Sequence, residues 1–383
     1  KIFKRTWFLL GWLQKILFHY KEYKIEFAHK AINMFEQLGF ENLTPKMASV
    51  IFALAIGLIF GSVSQHIKFC FRRSIVGTPQ ERKSARGVWF AALASATLGT
   101  QLLIFYDFFS FTEHRFFNSD IPILAIAMGG IMFGVGMVLT RGCISRLVVL
   151  TGSGNIRALI VFVIFAITAH ATLKGVFAPV RVWIGSFTLN LGEITGFSEL
   201  IGGPILWSIL IIFVSIFIAY KSSSKISHLI LAIFIGLLVP LSWLGTGFIL
   251  FDEFDPIPLQ SLSFTSPSSD LLFWSIASTS IPAGFGVGLI GGVILGSFTA
   301  AISKNEFQWI TFENHQQTKQ YLLGAVLMGS GGVLAGGCTV GAGLAGIPTL
   351  SFAAISALIC VVIGALMTKY ITNIFVNSNY SYA

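Results

Sequence analysis

Two cysteines, each directly behind a glycine at the end of a long apolar run, are the residues whose types and spacing indicate chemistry. Cys143 lies in RGCISRLVVLTGSGN, residues 141–155, and Cys338 lies in AGGCTVGAGLAGIP, residues 335–348. A thiol is a weak hydrogen-bond donor with a soft sulfur, so it suits a sulfur-bearing anion better than the oxygens of sulfate or phosphate. Paired thiols could pass such an anion along a pore through weak contacts that also allow its release.

The surroundings of each thiol would supply the positive potential that an anion needs. Arg141 and Arg146 flank the first cysteine, and we expect both to contribute charge. Residues 320–368, around the second cysteine, hold no charged side chain. An anion there would rely on backbone N–H groups at the start of a short helix. The glycines expected to keep side chains out of its way are Gly142 and Gly337.

A third cysteine, Cys70, lies beside three basic residues in KFCFRRSIVG, residues 68–77. Positive charge stabilises a thiolate, so Cys70 could receive the anion at the inner mouth, or it could be an ordinary border residue. Cys143 and Cys338 could likewise be small packing residues, and the two arginines could be interfacial anchors. Repetition of the Gly-Cys pair favours a functional interpretation. Cys360 lies in an aliphatic run and is expected to pack in the core.

The composition predicts that the elements carrying these residues are membrane helices. Of the 383 residues, 55% are hydrophobic and 11% are charged, and the mean hydropathy is +0.81. Apolar segments recur at the length of about 17–25 residues that a helix needs to cross a bilayer. We predict an all-α integral membrane protein with about nine transmembrane helices and short re-entrant helices. The predicted spans are 47–66, 88–106, 121–139, 156–173, 200–219, 228–243, 283–302, 320–336 and 350–370, with a further short helix at 271–282.

Charge is distributed by loop rather than by face, which reports topology. The net charge of +9 lies mainly in loops and termini, so it does not predict a nucleic-acid partner. Basic residues at 66–87 and 221–225 predict cytoplasmic loops, whereas the acidic stretches 107–120 and 244–270 predict external ones. The side of the N-terminus is left open. The cysteines lack metal-ligand spacing, and no metal or cofactor is predicted.

An internal repeat relates the two Gly-Cys motifs at an offset of 195. MGGIMFGVGMVLTRGC, residues 128–143, and LGAVLMGSGGVLAGGC, residues 323–338, share seven of sixteen positions, including the cysteine. A weaker echo links GLIFG, 57–61, with GLIGG, 288–292. The echo lies farther from the cysteine in the first half, which leaves one span without a counterpart. We therefore predict two pseudo-symmetric, inverted halves, with the motifs entering from opposite faces and the site between them.

The two Gly-Cys motifs, with ILGSFTAAISKNEFQW at 295–309, resemble those of the YeeE/YedE family of sulfur-transport membrane proteins. The likeness covers about residues 47 to 370. It implies a multi-pass protein of the bacterial inner membrane that takes up thiosulfate or a related sulfur compound. It also implies that Cys143 and Cys338 line the central path and that Cys70 contributes near one end. This sequence has Ala342 where members of the family often carry histidine.

The predicted organisation follows from the repeat and this resemblance. The units are an interfacial extension at 1–46, a first sulfur-transport repeat at 47–199, connecting helices with an acidic external loop at 200–282, a second repeat at 283–370, and a tail at 371–383. The predicted partners are the sulfur anion and the lipid bilayer. The sequence leaves open a cytoplasmic sulfurtransferase as a further partner.

The favoured function is a transporter and not an enzyme, with alternatives left open. A membrane-embedded sulfurtransferase or redox protein could use the same cysteines, but neither motif holds a histidine or a second cysteine that would activate a nucleophile. Uptake of a selenium-bearing anion, or a structural role in the membrane, are the other readings. No P-loop is present, which disfavours ATP-driven transport by this chain alone. Channel-like flow and proton or sodium coupling are both left open.

Overall fold

The computed structural model describes residues 43–111, 114–192, 195–252 and 255–380, with side chains to residue 372. Within these ranges, nine helical segments are long and apolar enough to cross a membrane. The helices that provide them are α1 (Pro45–Ile67), α3 (Pro79–Phe105), α4 (Ile123–Leu139), α6 (Ile156–Leu173), α8 (Gly203–Tyr220), α9 (Ile226–Leu244), α11 (Phe285–Ser303), α12 (His315–Leu334) and α13 (Phe352–Tyr380). The predicted all-α integral membrane fold is confirmed.

Shorter elements connect and interrupt the long helices. The short α-helices are α2 (Phe71–Val76), α5 (Ile144–Gly152), α7 (Ala178–Gly185) and α10 (Thr265–Ala277). Two π-helical segments, Gly245–Ile249 and Thr339–Gly346, and three 3₁₀ turns, Arg115–Phe117, Phe197–Glu199 and Ile347–Thr349, complete the helical part. Two short antiparallel strands, β1 (Asp120–Ile121) and β2 (Leu189–Asn190), form a ribbon.

The basic stretch 66–87, predicted as a cytoplasmic loop, is mostly helical. It contains all of α2 and the first turns of α3. Thr78 and Glu81 form a reciprocal capping box, and Pro79 occupies the first helical position. These local signals start the helix well before its apolar part begins, because a cap satisfies N–H groups that hydropathy does not report. Helix α13 likewise continues beyond the predicted end at residue 370.

Helices α1 and α11 pack in parallel through rows of glycine. A Cβ atom on Gly288 would lie 2.2 Å from the carbonyl oxygen of Val50, and one on Gly296 would lie 2.2 Å from that of Leu58. Both residue numbers rise together along the contact, so the helices run in the same direction. The echoed segments 57–61 and 288–292 therefore touch each other. Such close backbone approach is typical of membrane helices, where small residues permit dense packing.

Helices α4 and α12, which lead into the two Gly-Cys motifs, pack antiparallel. Gly129 lies against Leu334, whereas Gly136 lies against Gly324 and Met328. The chain therefore leaves these helices at opposite ends of the bundle, as expected for motifs that enter from opposite faces. The pseudo-symmetry of two whole halves and the boundaries of the predicted units stay predictions. Of the predicted interfacial segment 1–46, residues 1–42 lie outside the described ranges.

Candidate functional site

The three cysteines Cys70, Cys143 and Cys338 each precede a short helical element. They are the residues directly before α2, α5 and the π-helix Thr339–Gly346. Two positions before each cysteine, the backbone is left-handed. The residues at these corners are Lys68 (φ 54°), Arg141 (φ 56°) and Gly336 (φ 74°). An ordinary helix cannot pass through such a residue, so each corner ends one helix and turns the chain before the thiol.

The backbone of the two Gly-Cys corners is the same at the offset of 195. The matching N–H to C=O pairs are Thr140 to Gly136 (2.9 Å) and Ala335 to Gly331 (2.9 Å), Arg141 to Val138 (3.1 Å) and Gly336 to Val333 (3.2 Å), and Leu147 to Cys143 (3.0 Å) and Ala342 to Cys338 (2.8 Å). The sequence repeat is therefore also a repeat of local backbone geometry. It explains why a cysteine follows each corner at the same distance.

The corners lead the chain toward two ends of the bundle. Helix α5 ends at Gly152, which packs against Ser297 near the end of α11. Helix α2 leads to the start of α3, where the Arg86 Nε donates to the Ser74 carbonyl (2.9 Å). We call this the basic end, defined by Lys68, Arg72, Arg73, Arg82 and Lys83. The π-helix Thr339–Gly346 leads instead to a cavity at the opposite end.

The thiols of Cys70, Cys143 and Cys338 are buried and lie close to one another. Their relative exposures are 6%, 1% and 1%. The thiols of Cys70 and Cys143 interact directly, and Cys143 and Cys338 interact electrostatically. Cys143 Sγ lies 3.1 Å from Ser145 Oγ, and Cys338 Sγ accepts from the Gly341 N–H at 3.3 Å. Segments separated by more than 250 residues thus deliver three thiols to one buried centre.

Thr339 adds an unused hydroxyl to this centre. Its side chain is 1% exposed and lies next to the Cys143 thiol. Its Oγ1 atom has no hydrogen-bond partner that satisfies both distance and angle. A buried hydroxyl without a partner costs free energy, so its retention at the thiols favours a ligand as the missing partner.

The predicted site residues other than cysteine are placed differently from one another. Arg146 is partly buried and interacts electrostatically with Cys70 and Cys143, whereas Arg141 is exposed at its corner. Gly142 and Gly337 are buried beside the thiols. A Cβ atom on Gly337 would lie 3.0 Å from the Ala342 backbone nitrogen, so that corner needs glycine. A role for Arg141 in binding stays a prediction.

A cavity of about 640 Å³ opens at the end opposite the basic end, and we call it the vestibule. Its floor includes Gly341 and Ala345 of the π-helix that starts at Cys338. Its walls include Arg115, His114 and Trp243. Arg115 interacts electrostatically with Cys338, so the second thiol has a positive side chain nearby after all.

Electrostatics in the vestibule favour an anion. Burial, and then the neighbouring Arg115, lower the pKa of His114 to about 4, so this imidazole is neutral at neutral pH. Burial also lowers the pKa of Arg115, but a guanidinium remains charged at neutral pH. At the rim, burial raises the pKa of the Asp270 carboxyl, opposed by Lys174 and His170. The charge facing the floor is therefore that of Arg115.

Two further polar atoms in the vestibule walls have no described partner. Trp243 Nε1 is buried between the rings of Phe111 and His114, and Ser263 Oγ lies over Gly341. Both groups can donate a hydrogen bond. Between the vestibule and the thiols, the backbone of Phe264 contacts the Cys338 thiol. Together they offer a row of donors that leads from the vestibule to Cys338.

Sequence reasoning did not find Arg115, Thr339 or the segment around Ser263. Arg115 is the one basic residue in an acidic stretch, and that stretch was interpreted only as a topology signal. Thr339 follows Cys338 directly, yet a lone threonine in a glycine-rich run carries no signal. The stretch 244–270, predicted as an external loop, folds into the interior, where Leu262 and Phe264 are fully buried. Its sequence SLSFTS gives a strand-like alternation that does not predict this course.

Cys360 and the metal question complete the survey of cysteines. The Cβ of Cys360 would lie 2.5 Å from a Cβ built on Gly130, so this residue packs between α4 and α13 as expected. Among the described residues, no group of three histidine, cysteine or acidic side chains could hold a metal ion.

Comparison with known proteins matches this arrangement to one family. A family model described as "Sulphur transport" matches residues 66–367, which include all three path cysteines and both corners. The chain belongs to the sulphur transport family. Its relatives in this family include the "Thiosulfate transporter TsuA" of Spirochaeta thermophila, 25% identical over 331 residues, 81% of this chain and 95% of the relative. The protein of the same name from Escherichia coli K12 is 25% identical over 325 residues, 77% of this chain and 86% of the relative.

Membership of the sulphur transport family decides between the classes of function that the residues left open. The family and the transporter names of both relatives indicate transport of a sulfur-containing anion rather than an enzymatic reaction. The nine apolar spans agree with a multi-pass membrane protein. The resemblance to the YeeE/YedE family is thereby confirmed.

Proposed function

We propose that this chain imports thiosulfate, or a closely related sulfur-bearing anion, along a path through Cys338, Cys143 and Cys70 in that order. The observation that carries the proposal is the meeting of three buried thiols at one centre, reached from both ends of the bundle. The two relatives named as thiosulfate transporters support this choice of anion. A packing role alone would not require the same corner before each thiol.

Entry begins in the vestibule, where Arg115 attracts a dianion. The indole N–H of Trp243 and the hydroxyl of Ser263 are free to replace part of its hydration shell. Backbone N–H groups at the start of the π-helix Thr339–Gly346 point toward the thiol end of that helix and add favourable dipoles. These neutral donors hold the anion without an ion pair, so its onward movement costs little.

The thiols then pass the anion on by exchange of weak hydrogen bonds. The terminal sulfur of thiosulfate can accept from a Cys S–H, and the Thr339 hydroxyl can donate to one of its oxygens. Because S–H donors are weak, each contact is replaced readily by the next. The direct interaction of Cys70 with Cys143 leads the anion toward the basic end, where Arg146 lies.

The expected setting is the bacterial inner membrane, with the basic end in the cytoplasm. Basic loops at 66–87 and 221–225 support this orientation through the positive-inside preference. A cytoplasmic sulfurtransferase that consumes the imported sulfur would be a fitting partner at the basic end.

The proposal is tested by growth of a bacterium that cannot import thiosulfate, with thiosulfate as the sole sulfur source. Expression of the chain should restore growth, and Cys143→Ala or Cys338→Ala should abolish it. Cys360→Ala is the matched control, because this fourth cysteine lies between α4 and α13. Membrane content of each variant is measured by a fluorescent fusion. Full growth of both path variants would reject the thiol path.

Mass spectrometry separates transport from sulfurtransferase chemistry. After exposure to thiosulfate, the intact mass of the purified protein should be unchanged, since the proposed contacts are hydrogen bonds. A stable gain of mass on Cys143 or Cys338 would favour the covalent alternative.

A further inference from the structure

Arg146 is held beside the thiols by neutral groups only. Its Nη1 donates to the side-chain oxygen of Gln65 at 3.2 Å and to the backbone carbonyl of Ser64 at 3.4 Å. Its backbone N–H also contacts the Cys143 thiol. In the ranges that the structure describes, no carboxylate forms an ion pair with Arg146. The guanidinium is thus oriented while its charge stays unpaired.

Gln65 connects this guanidinium to a carboxylate. Its Nε2 donates to Glu306 Oε2 at 3.2 Å, while its Oε1 accepts from Arg146. Gln65 is buried, with 5% exposure, whereas Glu306 is exposed at the basic end. The charges fix the amide orientation, because a flipped amide would turn its NH₂ toward the cation and its oxygen toward the anion. Gln65 therefore stands as a neutral spacer between a cation and its nearest counter-charge.

We propose that Gln65 is a positioning residue that holds Arg146 at the thiols without neutralising it, and that Glu306, acting through Gln65, sets how tightly the path holds its anion. The inference rests on the proposed function. A direct Arg–carboxylate pair would remove the attraction for an anion, whereas a guanidinium with no counter-charge would hold a dianion too long for rapid release. The amide spacer gives an intermediate attraction at the step where the anion leaves the thiols.

Two substitutions should change uptake in opposite directions. Gln65→Glu places a carboxylate directly on Arg146, so KM for thiosulfate should rise by about tenfold. Glu306→Gln keeps an acceptor for the Gln65 amide but removes the negative charge. Its KM should fall by about threefold while the maximal rate per folded protein also falls, because release becomes slower. A merely structural role would lower the maximal rate of both variants and leave KM unmoved.

The control is Glu313→Gln, which alters an exposed glutamate on the same loop that pairs with Arg157 at 3.2 Å. It should leave KM and the maximal rate unchanged. Unchanged KM in both Gln65→Glu and Glu306→Gln, or shifts of the same sign, would overturn the inference.

A second readout does not depend on transport. The rate of thiol labelling by an anionic methanethiosulfonate, divided by the rate for a cationic one, reports the potential at the thiols. This ratio should fall in Gln65→Glu and rise in Glu306→Gln, and an unchanged ratio would contradict the proposed network. A wild-type chain without thiosulfate uptake would refute the proposed function, and the labelling ratio would still decide the role of Gln65.

Discussion

The close contact of α1 and α11 makes Gly292 intolerant of a single methyl group. A Cβ atom there would lie 2.3 Å from the carbonyl oxygen of Leu54 and 3.0 Å from the Cα of Gly57. Ordinary contact needs about 1 Å more, and the obstacle is backbone, which cannot rotate away. The helices would have to separate along the whole glycine row, so Gly292→Ala should cost about 1–3 kcal/mol.

Gly291 provides the control on the same helix. A Cβ atom there meets nothing within 4 Å, so Gly291→Ala should be neutral or stabilise by about 0.5–1 kcal/mol, because alanine favours the helix. In detergent, Tm should fall by about 2–10 °C for Gly292→Ala and should not fall for Gly291→Ala. Because α1 leads to Gln65 and Cys70, thiosulfate uptake should fall with Tm. Equal Tm values for the two variants would refute the packing described for α1 and α11.

Three further predictions concern the path itself. Thr339→Val removes a hydroxyl that has no protein partner, so Tm should be unchanged or higher while uptake falls severalfold, and lost stability would contradict this. Arg115→Gln should raise KM by about five- to tenfold, and the difference from wild type should shrink as ionic strength rises; a salt-independent difference would argue against steering. The folded imidazole of His114 takes up its proton near pH 4 and the unfolded one near pH 6.5, so stability should fall as pH falls between these values. His114→Gln should flatten that part of the Tm profile, and an unchanged slope would show that other groups cause it.

The sequence predicted the long elements because hydropathy reports burial in lipid directly. All nine spans coincide with helices, and the repeat at an offset of 195 corresponds to matching backbone hydrogen bonds at Cys143 and Cys338. The weaker echo at 57–61 and 288–292 marked glycines that touch each other, since close packing requires small residues on both helices.

The rest of the site depends on contacts that no local pattern encodes. Cys70 shares its corner with the other two cysteines, but the left-handed residue there is Lys68, which carries no glycine signal. Arg115 and Ser263 reach the second motif from distant segments, so their side chains are near Cys338 only after folding. The orientation of Arg146 by Gln65 spans 81 residues and is likewise a tertiary fact.

The central claim is that a sulfur-bearing anion passes between Cys338 and Cys143. A structure of the protein soaked with selenosulfate, in which selenium replaces the terminal sulfur of thiosulfate, tests it most directly through the anomalous signal of selenium. The account predicts a selenium peak within about 4 Å of the Sγ of Cys338 or Cys143, at hydrogen-bond range for sulfur. Ordered selenium confined to a route that bypasses these thiols would contradict it.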